Sequence, residues 1–385
     1  MFLPIIKRVL FFLVIILSSS KQLVYYPSYP KYPEMIEYYV NCTDSGNLIS
    51  SVFTSFNYPT SCLLFNRVYE PIQNKVGINF YEHGDETYVT LSNSTKMPTN
   101  VYFNKSIFLY SSNAFKKVAL GVGLALGLIP EVERIDRDDN IEIYLDKISE
   151  NYKKYYNKTR ITNTSTDFDF TSTMLYDFHF GAEKGENAFK SKLYPYYEDM
   201  LKNIIVTISY NDKRRVNEIY CYNECKDKPP CENGGYYDKD CLNCNCPLEF
   251  KGATCNETFE KGCNSEEEKT YIVKPESGIE DLKLEHTKGN CIFLIKSDNN
   301  NSKIIIEIEK MNFSITAKPI KNPFIEIRYR NDKGTKGLVF YQNVSNITLP
   351  SLSEKVYIIT NDDLGSFDLS IRYHANTTET KEIFV

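Results

Sequence analysis

The chain has 385 residues, enough for two or three domains, and carries a formal net charge of −5 with both signs interspersed. No basic stripe marks a nucleic-acid partner. Four histidines serve the whole length: His83, His179, His286 and His374. No two of them fall within one helical turn, so the sequence holds no His-x-x-x-His metal pair.

At the N-terminus, Lys7 and Arg8 precede a short apolar run from Val9 to Leu17, and Ser18-Ser19-Ser20 follows. This is the pattern of a signal peptide over residues 1–20. That run and the later one from Val118 to Ile129 both fall short of the ~20 residues that span a bilayer, so no membrane span is expected. A secreted, extracellular chain suits the eleven cysteines, most of them late in the sequence. It also suits the glycosylation sequons at Asn41, Asn93, Asn104, Asn157, Asn163, Asn256, Asn300, Asn312, Asn343, Asn346 and Asn376, of which several rather than all are expected to be used.

Residues 21–33 hold three Tyr-Pro pairs and read as a short extended segment. Ile36–Val40, Val76–Phe80 and Thr87–Leu91 alternate as strands. Ser112 or Asn113 is placed to cap a helix. Gly121 and Gly123 lie inside that helix and weaken it by ~1 kcal/mol each relative to alanine, so tertiary packing must hold it.

The helix opens the stretch KVALGVGLALGLIPEVERIDRDDNI, Lys117 to Ile141. Its layout follows H-E-x-x-H-x-x-G-x-x-H, in which two His one turn apart and a third after a glycine turn hold Zn²⁺, with the Glu as general base. The ligand positions are here Leu120, Leu124 and Pro130, and the base position is Gly121. Gly127 keeps the turn, followed by Glu131, Arg134, Asp136, Arg137 and Asp138. Downstream lies Ser172-Thr173-Met174-Leu175-Tyr176. In this order the two motifs resemble the astacin-type zinc metalloendopeptidases, which are metzincins. Met174 and Tyr176 match the family's Met-turn, and Leu175 replaces its His.

The resemblance implies a two-lobed α+β domain over residues 34–221, with Cys62 paired to Cys221. Leu at the His positions is what a metal-free version of the fold should select, since a buried Leu stabilises by roughly 1.5–3 kcal/mol while an unliganded buried His or Glu costs desolvation. The helix therefore reads as a core helix, and a cleft remodelled for binding is the other reading. Tyr176, Asp177 and His179 have no partner at metal-ligand spacing, so Tyr176 is expected to pack or hydrogen-bond in the old cleft. Arg134, Asp136, Arg137 and Asp138 are expected to make structural charge-assisted hydrogen bonds.

Six cysteines within residues 225–255 cannot enclose a hydrophobic core and read as a disulfide-framed module. Cys241-x-x-Cys244 also admits a zinc ribbon, which secretion disfavours. The pattern C-x-N-G-G, C-x-C-P, G-x-x-C resembles an EGF-like domain, here residues 222–256. That resemblance implies Cys225–Cys241, Cys231–Cys244 and Cys246–Cys255. Residues 257–268 read as an acidic linker. Recurring strands then indicate an all-β sandwich, which over residues 260–375 resembles a CUB-like domain with Cys263–Cys291 as its disulfide. Cys42 is left over.

With every ligand and the base replaced, neither metal binding nor water activation has a route. The chain reads as a catalytically inactive homologue, a pseudoprotease, that binds an extracellular peptide or protein. No cofactor is expected, zinc being the family's. The alternatives are an active zinc metalloendopeptidase with a non-standard metal site, and a structural extracellular glycoprotein, whose low-complexity repeats the chain lacks. Nothing in the sequence sets an oligomeric state.

Overall fold

The computed structural model describes residues 32–376 apart from 43–45, 58–62, 85–86, 111–112, 160–164, 204–206, 222–224, 226, 266, 268, 299–301, 315–323 and 362–365. The signal segment, most of the Tyr-Pro segment, Cys62 with its pairing to Cys221, and the sequons at Asn163 and Asn300 lie outside the described residues.

The upper lobe is a five-stranded sheet backed by helices. Its elements are β1 (Met35–Asn41), α1 (Gly46–Asn57), β2 (Leu64–Val68), β3 (Ile78–Glu82), β4 (Tyr88–Thr90) and β5 (Thr99–Phe103), then α2 (Ser106–Tyr110) and α3 (Ala114–Ala125). Strand order is β2-β1-β3-β5-β4. The pairings are parallel except that of β4 with β5. Alternation along the strands sends Ile36, Tyr38, Phe80, Val101 and Phe103 to one face, where they meet Phe53 of α1 and Val118 and Val122 of α3. Helix α3 starts at Ala114. Asn113 stands at its cap position but makes no side-chain cap bond, and Ser112, the other candidate read from sequence, lies outside the described residues. Burial holds this helix instead: six of its residues, Gly121 and Gly123 among them, are buried.

The lower lobe is mostly irregular, with short 3₁₀ turns between residues 131 and 156. A two-stranded ribbon joins β6 (Ile141–Ile143) to β7 (Phe189–Ser191). Helices α4 (Tyr196–Asn203) and α5 (Tyr210–Tyr220) close it. Ser209 caps α5 by accepting a 3.1 Å bond from the Asp212 amide.

Disulfides Cys225–Cys241, Cys231–Cys244 and Cys246–Cys255 frame the small module that follows. It carries two hairpins, β8 (Tyr236–Tyr237) with β9 (Cys244–Asn245) and β10 (Phe250–Lys251) with β11 (Glu257–Thr258). The sandwich strands are β12 (Thr270–Val273), β13 (Glu280–Thr287), β14 (Ile292–Ser297), β15 (Lys303–Phe313), β16 (Phe324–Arg328), β17 (Leu338–Phe340), β18 (Val344–Leu349), β19 (Lys355–Asn361) and β20 (Phe367–Asn376). One sheet runs β12-β14-β19-β16-β17, the other β13-β20-β15-β18. Cys263–Cys291 staples the entry to β14. The molecule is thus an astacin-like α+β domain followed by an EGF-like module and a CUB-like sandwich.

The acidic segment read as a linker is fastened down, which corrects that expectation. Its Glu257 and Thr258 form β11. Lys261 and Asn290 bridge through backbone hydrogen bonds, and Glu260 accepts from the Ile292 amide at 2.7 Å. Most of its described residues stay exposed, yet its backbone pairs with β10 and with Asn290.

The sandwich also shares a core with the lower lobe. Phe170, Tyr197 and Met200 belong to one buried cluster with Tyr329, Leu338 and Val339. The Tyr197 and Tyr329 hydroxyls are 2.8 Å apart. Buried Arg330 donates to Asn140 Oδ1 at 2.8 Å. Helix α5 reaches the same loop: Arg214 donates to Asp332 at 3.0 Å and Asn211 to Thr335 at 2.7 Å.

Candidate functional site

Helix α3, the turn after it and the Met-turn enclose the cleft between the lobes. Gly127 adopts φ +86°, a left-handed backbone that glycine reaches without strain. Leu128 N donates to Gly123 O at 2.9 Å and Gly127 N to Leu124 O at 2.9 Å, which ends the helix. The chain then crosses to the Met-turn, where the Glu131 amide donates to Met174 O at 3.0 Å.

The retained charged residues build a frame behind the cleft. Fully buried Glu131 pairs with Arg215 of α5 and accepts from the Asp169 amide at 3.1 Å. Asp212, also fully buried, accepts from Ser172 Oγ at 2.6 Å, Thr173 N at 2.8 Å and Thr173 Oγ1 at 2.9 Å, fixing the Met-turn. Arg134 grips Asp136 through two bonds of 2.7 Å and donates to Thr166 O. Arg137 donates to Val132 O and Tyr156 O. Burial together with the charges of Asp212 and Glu131 lifts the Asp169 carboxyl to about 6.

The positions read from the motif part ways here. Leu120, Leu124 and Pro130 all line an open cavity of about 890 Å³. Gly121 faces the opposite way: a Cβ there would come within 2.6 Å of Phe103 Cε1 and 3.2 Å of Val101 Cγ1. A Cβ on Gly123 would stand 2.4 Å from Met174 Sδ, so these glycines let sheet and Met-turn press onto the helix. The helix is therefore core on one side and cleft on the other. Leu175 and Tyr176 are buried below the cavity. The Tyr176 ring lies 4.5 Å from that of Phe180, and its hydroxyl donates a long 3.5 Å bond to Glu133. His179 is held through its ring nitrogen 2.8 Å from Glu186 O.

Aliphatic groups (Val89, Leu91, Ile107, Leu128) and aromatic rings (Tyr152, Tyr155, Phe180) make up most of the remaining wall. Among the charged residues in it, Glu133 and Lys116 were not singled out from sequence. Glu133 faces the cavity beside Tyr176, and burial lifts its carboxyl to about 7. Lys116 sits one turn before Leu120, and burial pushes its ammonium down. Helical spacing from Leu120 could have flagged Lys116; Glu133 had no such signal, since it lies beyond the turn.

Glu133 makes stability depend on pH. The fold keeps a proton that the unfolded chain releases near pH ~4.3, so this group's contribution is lost as pH rises from there toward about 7. Glu133→Gln is expected to flatten that part of the profile. Urea midpoints of both proteins between pH 4 and 8 check it, and parallel profiles would refute it.

The astacin peptidase family model matches residues 118–221. Those residues carry the turn, the charged frame and the Met-turn just described. Residues 118–221 are an astacin-family domain. The chain is 25% identical over 356 residues to zinc metalloproteinase nas-34 of Caenorhabditis elegans, covering 90% of this chain and 56% of that protein. It is 31% identical over 158 residues to zinc metalloproteinase dpy-31 of Haemonchus contortus, covering 37% and 26%. A solved structure, high choriolytic enzyme 1, a hatching enzyme zinc-protease of Oryzias latipes, aligns at 18% identity over 48% of this chain and 88% of that one, with a TM-score of 0.38. The chain spans little more than half of nas-34 and about a quarter of dpy-31.

This astacin-family domain does not fit the zinc ion for which those relatives are named. Leu120, Leu124 and Pro130 offer no side-chain donor where an N, S or O ligand is needed. Among the described residues no three His, Cys, Asp or Glu side chains gather into a metal-holding group. Among the same residues no helix is long and apolar enough to cross a membrane.

Proposed function

We propose that this chain is a secreted astacin homologue that binds an extracellular peptide or protein segment in its cleft and does not hydrolyse it. The observation that carries the reading is the cavity itself: it is open and apolar, and the three ligand positions reach it as Leu120, Leu124 and Pro130. A dead active site under no demand would be free to fill with side chains, since close packing stabilises a core. Strand β4 supports the kind of ligand. It is the edge of its sheet and pairs only with β5 among the described strands, and Tyr88 and Val89 line the cavity. An extended segment thus has a strand to pair with and apolar walls for its side chains. In the proposed organisation residues 1–20 are a signal peptide and 21–33 a short N-terminal segment. Residues 34–221 are then the degenerate peptidase domain, 222–256 the EGF-like module and 260–375 the CUB-like sandwich.

The test is elemental analysis of the protein secreted from eukaryotic cells, beside a general peptidase assay with and without chelator. The expected result is no retained zinc, no chelator-sensitive cleavage, and saturable binding of peptides. Near-stoichiometric zinc with chelator-sensitive cleavage would overturn the reading in favour of a working peptidase. No metal, no cleavage and no peptide binding would favour a structural glycoprotein.

A further inference from the structure

We propose that Asn41 carries an N-linked glycan whose first sugars pack on a row of tyrosines across the outer face of the upper-lobe sheet. The proposal shares with the reading above only passage through the secretory route, and does not depend on what the cleft binds.

The acceptor signal is Asn41-Cys42-Thr43. Asn41 ends β1 and is exposed, and its side chain makes no hydrogen bond with a described residue. Other sequons are placed differently. Asn343 Oδ1 accepts from the Phe313 amide at 2.8 Å and Asn104 Oδ1 from the Ser106 amide at 2.7 Å, so those side chains are drawn back to the protein's own backbone.

The helices cover the face that holds Ile36, Tyr38, Phe80, Val101 and Phe103. Alternation puts Tyr39 and Asn41 of β1, Tyr81 of β3, Tyr102 of β5 and Tyr88 of β4 on the other face. The register then gathers them. Asn41 is the cross-strand partner of Tyr81, Tyr81 of Tyr102, and Tyr102 of Tyr88. Ring centroids lie 6.2 Å apart for Tyr39 and Tyr81, 5.6 Å for Tyr81 and Tyr102, and 4.6 Å for Tyr102 and Tyr88. The row crosses three inter-strand steps, ~14 Å in all. Its four tyrosines are partly exposed, and their hydroxyls make no hydrogen bond with a described residue.

A contiguous patch of exposed rings marks a surface that something covers. A pyranose suits this one. One of its faces presents C–H groups, which are attracted to the negative π face of an aromatic ring, and its rim hydroxyls can meet the tyrosine hydroxyls. Tyr39 precedes Asn41 by two residues on the same strand face, and Tyr81 stands directly across from it. A sugar attached at Asn41 Nδ2 therefore starts between two rings of the row. The sequon gives a glycan a covalent anchor beside this face, which is why the occupant is a glycan rather than a peptide or a second copy of the chain.

The experiment uses the full chain secreted from eukaryotic cells. Glycosidase release in water labelled with heavy oxygen, followed by peptide mass spectrometry, identifies the sequons that carried sugar, and Asn41 is expected among them. Melting temperatures are then read for the unaltered protein, Asn41→Gln and Thr43→Ala, each also in a Tyr81→Thr background. Loss of the glycan by either route is expected to lower the melting temperature by about 2–4 °C, the scale of one aromatic contact, and by much less once Tyr81 is gone. A cooperative transition in each variant establishes that it folds. Sugar at other sequons with Asn41 bare would overturn the assignment. So would an occupied Asn41 whose loss costs as much without Tyr81 as with it, because that glycan would stand in solvent. A dimer, detected by light scattering, that Tyr81→Thr dissociates would make the row a contact between copies and overturn it as well. Sugar at no sequon would remove secretion and this inference together, leaving peptide binding in the cleft as a separate question.

Discussion

Replacing Arg215 by methionine is expected to cost about 3–5 kcal/mol of folding stability, the range for removing one partner of a buried ion pair. Arg215 sits among three fully buried carboxylates, Glu131, Asp169 and Asp212. It pairs directly with Glu131, lies 3.8 Å from Asp212, and donates to Thr166 Oγ1 at 2.7 Å. Arg134, 3.7 Å from Glu131, is the other cation nearby and is already committed to Asp136. Methionine keeps most of the volume but leaves the carboxylates uncompensated. The loss should be smaller in acid. Asp169 titrates near 6 in the fold, above the unfolded carboxylate, so lowering the pH protonates it and relieves the repulsion. Urea unfolding of R215M at pH 5 and pH 8 checks both points. A deficit under about 1 kcal/mol, as for an exposed pair, would show that the frame is not what holds the turn.

The second large effect is expected from Gly121→Glu, which restores the acid at the general-base position. It should lower stability by about 3 kcal/mol or more and return no peptidase activity. Phe103 and Val101 of the sheet occupy the space, with Phe103 Cε1 2.6 Å from where the Cβ would be. Overpacking alone costs about 1–3 kcal/mol, and a carboxylate without a partner in an apolar layer adds more. Leu124→His is the control. It faces the open cavity, where water and space are available, and should cost clearly less. Thermal melts of the two variants decide it. If Gly121→Glu proves the milder one, Phe103 yields easily and the back of the helix is softer than its packing indicates.

These two sites also separate what could be read early from what could not. From the motif, Leu120, Gly121, Leu124 and Pro130 were four equivalent losses. In the fold three of them line a cleft, and Gly121 is sealed against Phe103. Their facing depends on strands some twenty residues upstream, and no local spacing encodes that. The partner of Glu131 is another such case. The motif flagged Glu131, but Arg215 lies 84 residues away on α5, reached only because the chain returns beneath the Met-turn.

The sequence by itself determined the order of the modules, the strand and helix periods, the absence of donors at the zinc positions, and the cysteine ladder of the small domain. All of these are local in sequence: side-chain chemistry, spacing of a few residues, or a glycine where the backbone must turn. Only the tertiary structure decided that the old cleft stays open, that Lys116 and Glu133 face into it, and that the sandwich packs onto the lower lobe through Tyr197, Tyr329 and Arg330. Each of these is a contact between residues far apart in the chain, set by which faces remain apolar after every element has packed, and an individual segment carries no record of that.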